Sequence, residues 1–254
     1  MVDTVQLQIA GLTDIGRMRQ RNEDAIAWDE AAGLAVLADG MGGHQAGDVA
    51  SHMATASMLS VLGGQTVQDE QKHRQLVSRA VRELNESVYS RAAENQELSG
   101  MGTTLLVMQA AGGHLVLAHV GDSRAYRLRD DEFVQLTHDH SLINDLIARG
   151  EITTADVDKR FRNVLTRAIG AREQVETDIQ SLPMAHGDIY LLCSDGLHAC
   201  VSDDDMKLVL QQNRYDLEVA AQALVDMANA RGGADNISVI LAAVSPAPSR
   251  KAAG

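Results

Sequence analysis

Residues 103–137 read TTLLVMQAAGGHLVLAHVGDSRAYRLRDDEFVQLT. Four runs rich in apolar and β-branched residues, TTLLVMQ, HLVLAHV, SRAYRL and EFVQLT, are separated by AGG, GD and RDD. Glycine and aspartate at such short breaks suit tight turns, so the stretch predicts an antiparallel meander of hairpins. Upstream, residues 5–11 and 24–29 and the run GLAVLA (33–38) also read as strands. AGDVASHMATASMLSVL carries apolar residues at helical spacing and stops at Gly63-Gly64, and DEQKHRQLVSRAVRELNESVYSRAAENQ is a second, longer amphipathic helix.

Downstream the pattern changes. Residues 138–170 combine a helical SLINDLIARG, an acidic TTADVD and a basic KRFRNVLTR, which reads as a small flap-like insertion. GDIYLLCSD is then a strand, DDDMKLVLQQ and LEVAAQALVDMANA are helices, and NISVILAAV is a last strand. Hairpin-linked strands with helices in consecutive pairs, without strict βαβ alternation, point to an α+β chain of antiparallel sheets with helical layers outside. One domain is expected over residues 1–244, with a loose tail at 245–254.

Composition narrows the function. The content of 45% apolar residues is ample for a core, and no apolar run approaches the length of a membrane span. No segment reads as a secretion signal, so the cytoplasm is the expected compartment. With 22 basic and 35 acidic residues the net charge is −13, which repels nucleic-acid phosphates and anionic membrane surfaces alike. Neither is an expected partner. An acidic chain can still act on phosphorylated substrates where bound cations reverse the local field. Cys193 and Cys200 form no CxxC pair, and Cys193 lies in an apolar run where a buried thiol is expected.

The chemistry concentrates in LADGMGGHQAGDVAS (37–51), a glycine-rich loop directly after a strand. It lacks the Gly-Lys-Ser/Thr ending of a phosphate-binding P-loop, and Gln45 stands where a GxGxxG fingerprint needs its third glycine. What remains is Asp39 at the exposed end of a buried strand, followed by glycines that let the backbone approach something closely. The device recurs: LVLAHVGD ends in Asp122, YLLCSDG carries Asp195, and Asp235 precedes NISVIL. One such Asp-Gly is an ordinary turn. Four carboxylates at neighbouring strand ends would repel one another unless cations neutralise them, and hard oxygen ligands select magnesium or manganese. The histidines show no zinc spacing; His138 and His140 read as flap and turn residues.

In order, TDIGRMRQRNEDA (13–25), LADGMGGHQAGDVAS, SGMGTTL (99–105), HVGDSRAYRL (119–128), LTHDHSL (136–142), NVLTRAIG (163–170), LLCSDGL (191–197) and GGADNISVI (232–240) resemble the motifs of bacterial metal-dependent protein phosphatases of the protein phosphatase 2C family. The resemblance covers nearly the whole chain. It implies a four-layer α/β/β/α sandwich of two antiparallel sheets flanked by helices, agreeing with the layer reading, and hydrolysis of phosphoserine or phosphothreonine on proteins, opposing a bacterial Ser/Thr kinase. It also implies two core Mn²⁺ or Mg²⁺ ions and a third. Asp39 would bridge the core pair, the Gly40 carbonyl would bind the second ion, Asp195 and Asp235 would complete the first, and Asp122 would hold the third with Asp195.

By the same resemblance Glu23, Asp24 and Asn236 would order water around the metals, Arg19 would grip the substrate phosphate, and His44 would protonate the leaving alkoxide. The flap departs from the family pattern, lacking a proline in EITTADV and another near DKRFRNV. The chain is expected to act as a monomer. Two alternatives stand beside this reading: a small-molecule phosphomonoesterase, which would keep the same metals and differ only in the flap and groove, and a non-catalytic binding module on the same sandwich, which would be expected to lose metal aspartates that are all present here.

Overall fold

The computed structural model describes residues 5–43, 46–65, 69–153 and 164–246. Strands β1 (Val5–Asp14), β2 (Asp24–Asp29) and β3 (Leu34–Met41) are followed by helices α1 (Ala46–Leu62) and α2 (Glu70–Glu94). Then come β4 (Gly102–Thr103), β5 (Leu105–Ala111), β6 (His114–Val120), β7 (Arg124–Arg129), β8 (Glu132–Gln135) and the short α3 (Leu142–Ala148). The last third holds β9 (Asp178–Pro183), β10 (Ile189–Cys193), α4 (Asp195–His198), α5 (Asp203–Gln212), α6 (Leu217–Ala230) and β11 (Ile237–Pro246).

Two antiparallel sheets stack face to face. One has the order β1-β11-β10-β7-β8, the other β2-β3-β5-β6-β9 with β4 added beside β3. Alternation along the strands explains why both sheets are buried on both sides. In β3, Ala35 and Leu37 face the opposite sheet, while Leu34, Val36 and Ala38 face α1 and α2. In β11, Ile240, Ala242 and Val244 point between the sheets, and Ile237, Val239 and Leu241 point to α5 and α6. Three apolar cores therefore separate four layers, and the central strands read as continuous apolar runs because neither face meets water.

The helices carry their own start signals. Asp69 caps α2 by accepting the Lys72 amide at 2.8 Å, Ser202 caps α5 ahead of three first-turn aspartates, and Asp216 caps α6. On α1 the small residues Ala46, Ala50 and Ala54 recur every four positions against β3, which brings the helix axis close to the sheet.

One expectation needs correcting. Residues 103–137 do not form a single meander: β5 and β6 pair in one sheet, β7 and β8 pair in the other, and β6 does not pair with β7. The chain changes sheets at Gly121-Asp122, where Gly121 takes φ +109° and an added Cβ would meet the Thr104 side chain at 2.6 Å. A hairpin there would have pointed Asp122 along one sheet; the crossing delivers it to the seam between the two. Strand β9 was not legible either, because DIQSLP is a half-exposed edge strand without an apolar run.

Candidate metal centre and active site

The strand ends of both sheets converge on a cleft of about 200 Å³ lined by Arg19, Glu23, Asp39, Gly40, Asp122, Asp195, Asp235 and Asn236, with Met41, Gly42, Thr104 and Leu165 completing the wall. Each acid arrives from a different element: Asp39 from β3, Asp122 from the crossing between sheets, Asp195 from the first residue of α4, and Asp235 from the turn before β11. Asp24 lies beneath, paired in register with Asp39 across β2 and β3 and 4% exposed. All the residues singled out from the sequence thus come together, except His44, which lies outside the described residues.

Burial and mutual repulsion among the carboxyls dominate the electrostatics of the cleft. Burial pushes the Asp39 carboxyl well above its usual range, and the charges of Asp24, Asp195, Asp122 and Asp235 push it in the same direction. Burial followed by Asp122 and Asp235 raises Asp195 to about 7, and burial followed by Asp139 raises Asp122 to about 6. Asp24 rises to about 6 through burial, even though the Ser194 hydroxyl donates to its Oδ2 at 2.8 Å, and its buried Oδ1 has no hydrogen-bond partner among the described residues. Among the described residues Arg19 is the one guanidinium in the cleft wall, and it donates to Asp235 at 2.6 Å.

Backbone contacts explain the glycines. A Cβ on Gly40 would meet the Gly47 carbonyl at 2.1 Å and the Glu23 carbonyl at 2.6 Å, so only glycine lets α1, β3 and the 14–24 loop meet here. Asp39 is held from both sides of its peptide: its amide donates to Thr104 Oγ1 at 2.9 Å, and its carbonyl accepts from Thr103 Oγ1 at 2.9 Å and the Thr104 amide at 2.8 Å. Asn236 clamps the arginine-bearing loop, donating to the carbonyls of Ile15 and Arg21, each at 2.9 Å, and accepting the Glu23 amide at 2.8 Å.

Sequence reading missed two supports. Thr104 braces Asp39 and shares a 2.7 Å hydrogen bond with Ser123, and His198, which the sequence left without a role, donates from Nε2 to the Asp122 carbonyl at 3.1 Å. The lone signals were TT before a strand and a single histidine, too common to stand out.

A second group of possible ligands lies outside the cleft. His119, His140 and Asp178 bring ligand atoms within 4.8 Å of one another. His140 Nδ1 accepts the Gly121 amide at 3.1 Å, which leaves its proton on Nε2, 3.3 Å from Asp178. The Arg167 guanidinium, 2.9 Å from Asp178, already stands where a cation would be drawn. The cluster ties the base of the 138–170 segment to the loop that carries Asp122.

Comparison with known proteins agrees with this geometry. The family description "Protein phosphatase 2C" matches residues 16–242. The chain is 39% identical over 235 residues to the serine/threonine phosphatase Stp of Listeria innocua serovar 6a, an alignment covering 90% of this chain and 92% of that protein. The solved serine/threonine phosphatase PstP/Ppp of Mycobacterium tuberculosis superposes with a TM-score of 0.86 at 35% identity, covering 94% of this chain and 99% of that one. The catalytic domain of PstP in complex with two manganese ions superposes with a TM-score of 0.85 at 36% identity, covering 95% and 100%. The chain belongs to the protein phosphatase 2C family. It is a metal-dependent serine/threonine protein phosphatase, and its substrates are proteins phosphorylated on serine or threonine.

Proposed function

We propose that residues 1–244 form one phosphatase domain in which Asp39, the Gly40 carbonyl, Asp195 and Asp235 hold two Mn²⁺ or Mg²⁺ ions, Asp122 with Asp195 holds a third, and Arg19 grips the substrate phosphate. The observation that carries this reading is the Asp39 carboxyl, raised first by burial and then by four neighbouring carboxyls, in a cleft whose described residues include a single guanidinium. The donor set fits hard divalent ions: carboxylates, one carbonyl approached through a glycine, and the unpartnered Asp24 Oδ1. When bound, the ions supply an activated water and neutralise charge on an in-line phosphoryl displacement.

The chain's own residues do the rest. Arg19 donates to Asp235 at the cleft wall, and its planar fork can bind two phosphate oxygens at once. Asn236 fixes the loop bearing Arg19 and Glu23, and Glu23, itself raised chiefly by burial, orders water with Asp24. His44 is the proposed proton donor to the serine or threonine leaving group, a role that matters little for nitrophenolate.

The partner is a bacterial Ser/Thr kinase acting on the same substrates, and the protein works as a cytoplasmic monomer without nucleic-acid or membrane partners. Among the described residues no helix is long and apolar enough to cross a membrane. The test compares turnover of a phosphothreonine peptide with that of sugar phosphates in manganese. Preference for the peptide supports the reading; preference for sugar phosphates makes the protein a small-molecule phosphomonoesterase, and no turnover of either makes it a binding module.

A further inference from the structure

In a chain of net charge −13, the outer face of α2 is basic. Arg74, Gln75, Ser78, Arg79 and Arg82 line a groove of about 720 Å³ closed on its far side by Ile179 of β9, with Glu70 the single carboxylate in its lining among the described residues. The positions 74, 78 and 82 fall on one helical stripe and 75 and 79 on the next, so one face presents three guanidinium groups among neutral hydrogen-bonding groups. These charges are only partly neutralised inside the fold. Arg74 donates to the Ile179 carbonyl at 2.9 Å, Arg79 has its nearest carboxylate, Glu83, at 3.9 Å, and among the described residues neither Arg74 nor Arg82 forms an ion pair.

The groove also has a defined relation to the catalytic cleft. Leu165 lies in the cleft wall, and the chain runs from it through Gly170 and Arg172 to Ile179, the groove wall. Midway, Asn85 of α2 accepts the Gly170 amide at 2.8 Å and donates to the Arg172 and Glu173 carbonyls at 3.0 Å each. Asn85 follows Arg82 by one helical turn, so the segment leaving the cleft is fastened to α2 beside the groove. Arg172 forms no ion pair among the described residues either.

We infer that the α2 groove is a docking site for an acidic segment of the phosphoprotein substrate, outside the residues around the phosphate. The inference rests on the protein-phosphatase reading above. Guanidinium forks recognise carboxylates bidentately, and the polar lining offers nothing to an apolar helix. From Arg74 to Arg82 the helix advances about 12 Å, the span of about four residues of extended chain. A short run of glutamates or aspartates fills it.

The experiment measures kcat and KM for phosphothreonine peptides carrying four glutamates, or four glutamines, on Gly/Ser linkers of graded length to either side of the phosphothreonine. The wild type is compared with Arg74→Gln/Arg79→Gln/Arg82→Gln, and p-nitrophenyl phosphate serves as a control for an intact catalytic cleft. The glutamate peptide should show a KM about tenfold lower than the glutamine peptide at low salt, for one side and a minimum linker. That preference should vanish in the triple variant and in high salt, with kcat and nitrophenyl phosphate turnover unchanged. Equal KM values for the two peptides, or a preference kept by the triple variant, overturn the docking site while leaving the phosphatase reading intact. Loss of affinity for single-stranded DNA or anionic vesicles, with peptide preference unaffected, also overturns it. Absence of turnover of every peptide by the wild type overturns the phosphatase reading and the docking site together.

Discussion

Asp39 sits where the electrostatic cost is concentrated, since its buried carboxyl faces four others across the seam of the two sheets. Replacing Asp39 or Asp195 by asparagine should lower turnover of a phosphothreonine peptide by on the order of 10²-fold or more, while the metal-free protein becomes more stable. The sign follows from the raised acid: Asp195, held near 7 against an ordinary value of 3.8, stabilises the fold fully below the ordinary value and loses that contribution as pH rises through 7. Metal-free Asp195→Asn should therefore match the wild type in melting temperature near pH 4 and exceed it by at least about 2–4 °C near pH 8. His119 and His198, both lowered to about 4 chiefly by burial, act oppositely over pH 4 to 6.5, but they are common to both proteins and cancel in the difference. A gap that shrinks as pH rises would refute the assignment. Arg19→Ala should raise KM about ten- to a hundredfold, the worth of about 1.5–3 kcal/mol for hydrogen bonds to a charged group, with kcat less affected. Steady-state kinetics with unchanged KM and kcat would make Arg19 a surface charge.

The elements place these residues with little slack. Gly121 allows the chain to leave β6 and enter the other sheet, and Asp122 follows it directly, so Gly121→Ala should displace Asp122 while both sheets persist. Peptide turnover should fall at least tenfold at manganese concentrations that saturate the wild type, with the far-ultraviolet circular dichroism unchanged; undiminished turnover would mean the crossing does not position the site. Helices α1, α2, α5 and α6 and most strands were legible in the sequence because apolar residues at helical spacing mark the buried helix faces and the central strands are covered on both sides. Asp39, Asp122, Asp195 and Asp235 were legible for a related reason: a strand that is apolar to its last residue makes the terminal acid conspicuous. The sheet change at Gly121-Asp122 was not, since Gly-Asp between two strands reads equally as a hairpin turn, and only the long-range pairing of β7 with β10 decides it. Strand β9 escaped because an edge strand has one partner and a half-wet face, leaving DIQSLP without a hydrophobic signature. Thr104 and His198 escaped because their work is hydrogen bonding to backbone of distant segments.

At the scale of the whole molecule, the four-layer sandwich is a means of bringing the ends of two sheets together so that acids from β3, the β6–β7 crossing, α4 and the turn before β11 share one cleft. Three apolar cores hold the four layers together, so stability is supplied away from the seam and the seam can hold mutually repelling carboxylates. Such an arrangement gains stability whenever a ligand binds the folded state alone, and manganese should raise the melting temperature of the wild type in a concentration-dependent way. The most direct test is the initial rate on a phosphothreonine peptide as manganese is titrated into chelated, desalted protein, wild type beside Asp195→Asn. The wild type should start with no measurable rate and rise to saturation, while the variant stays near its starting level throughout. Full wild-type activity before any metal is added, or a variant that saturates at a near wild-type rate, would contradict the metal centre on which the account depends.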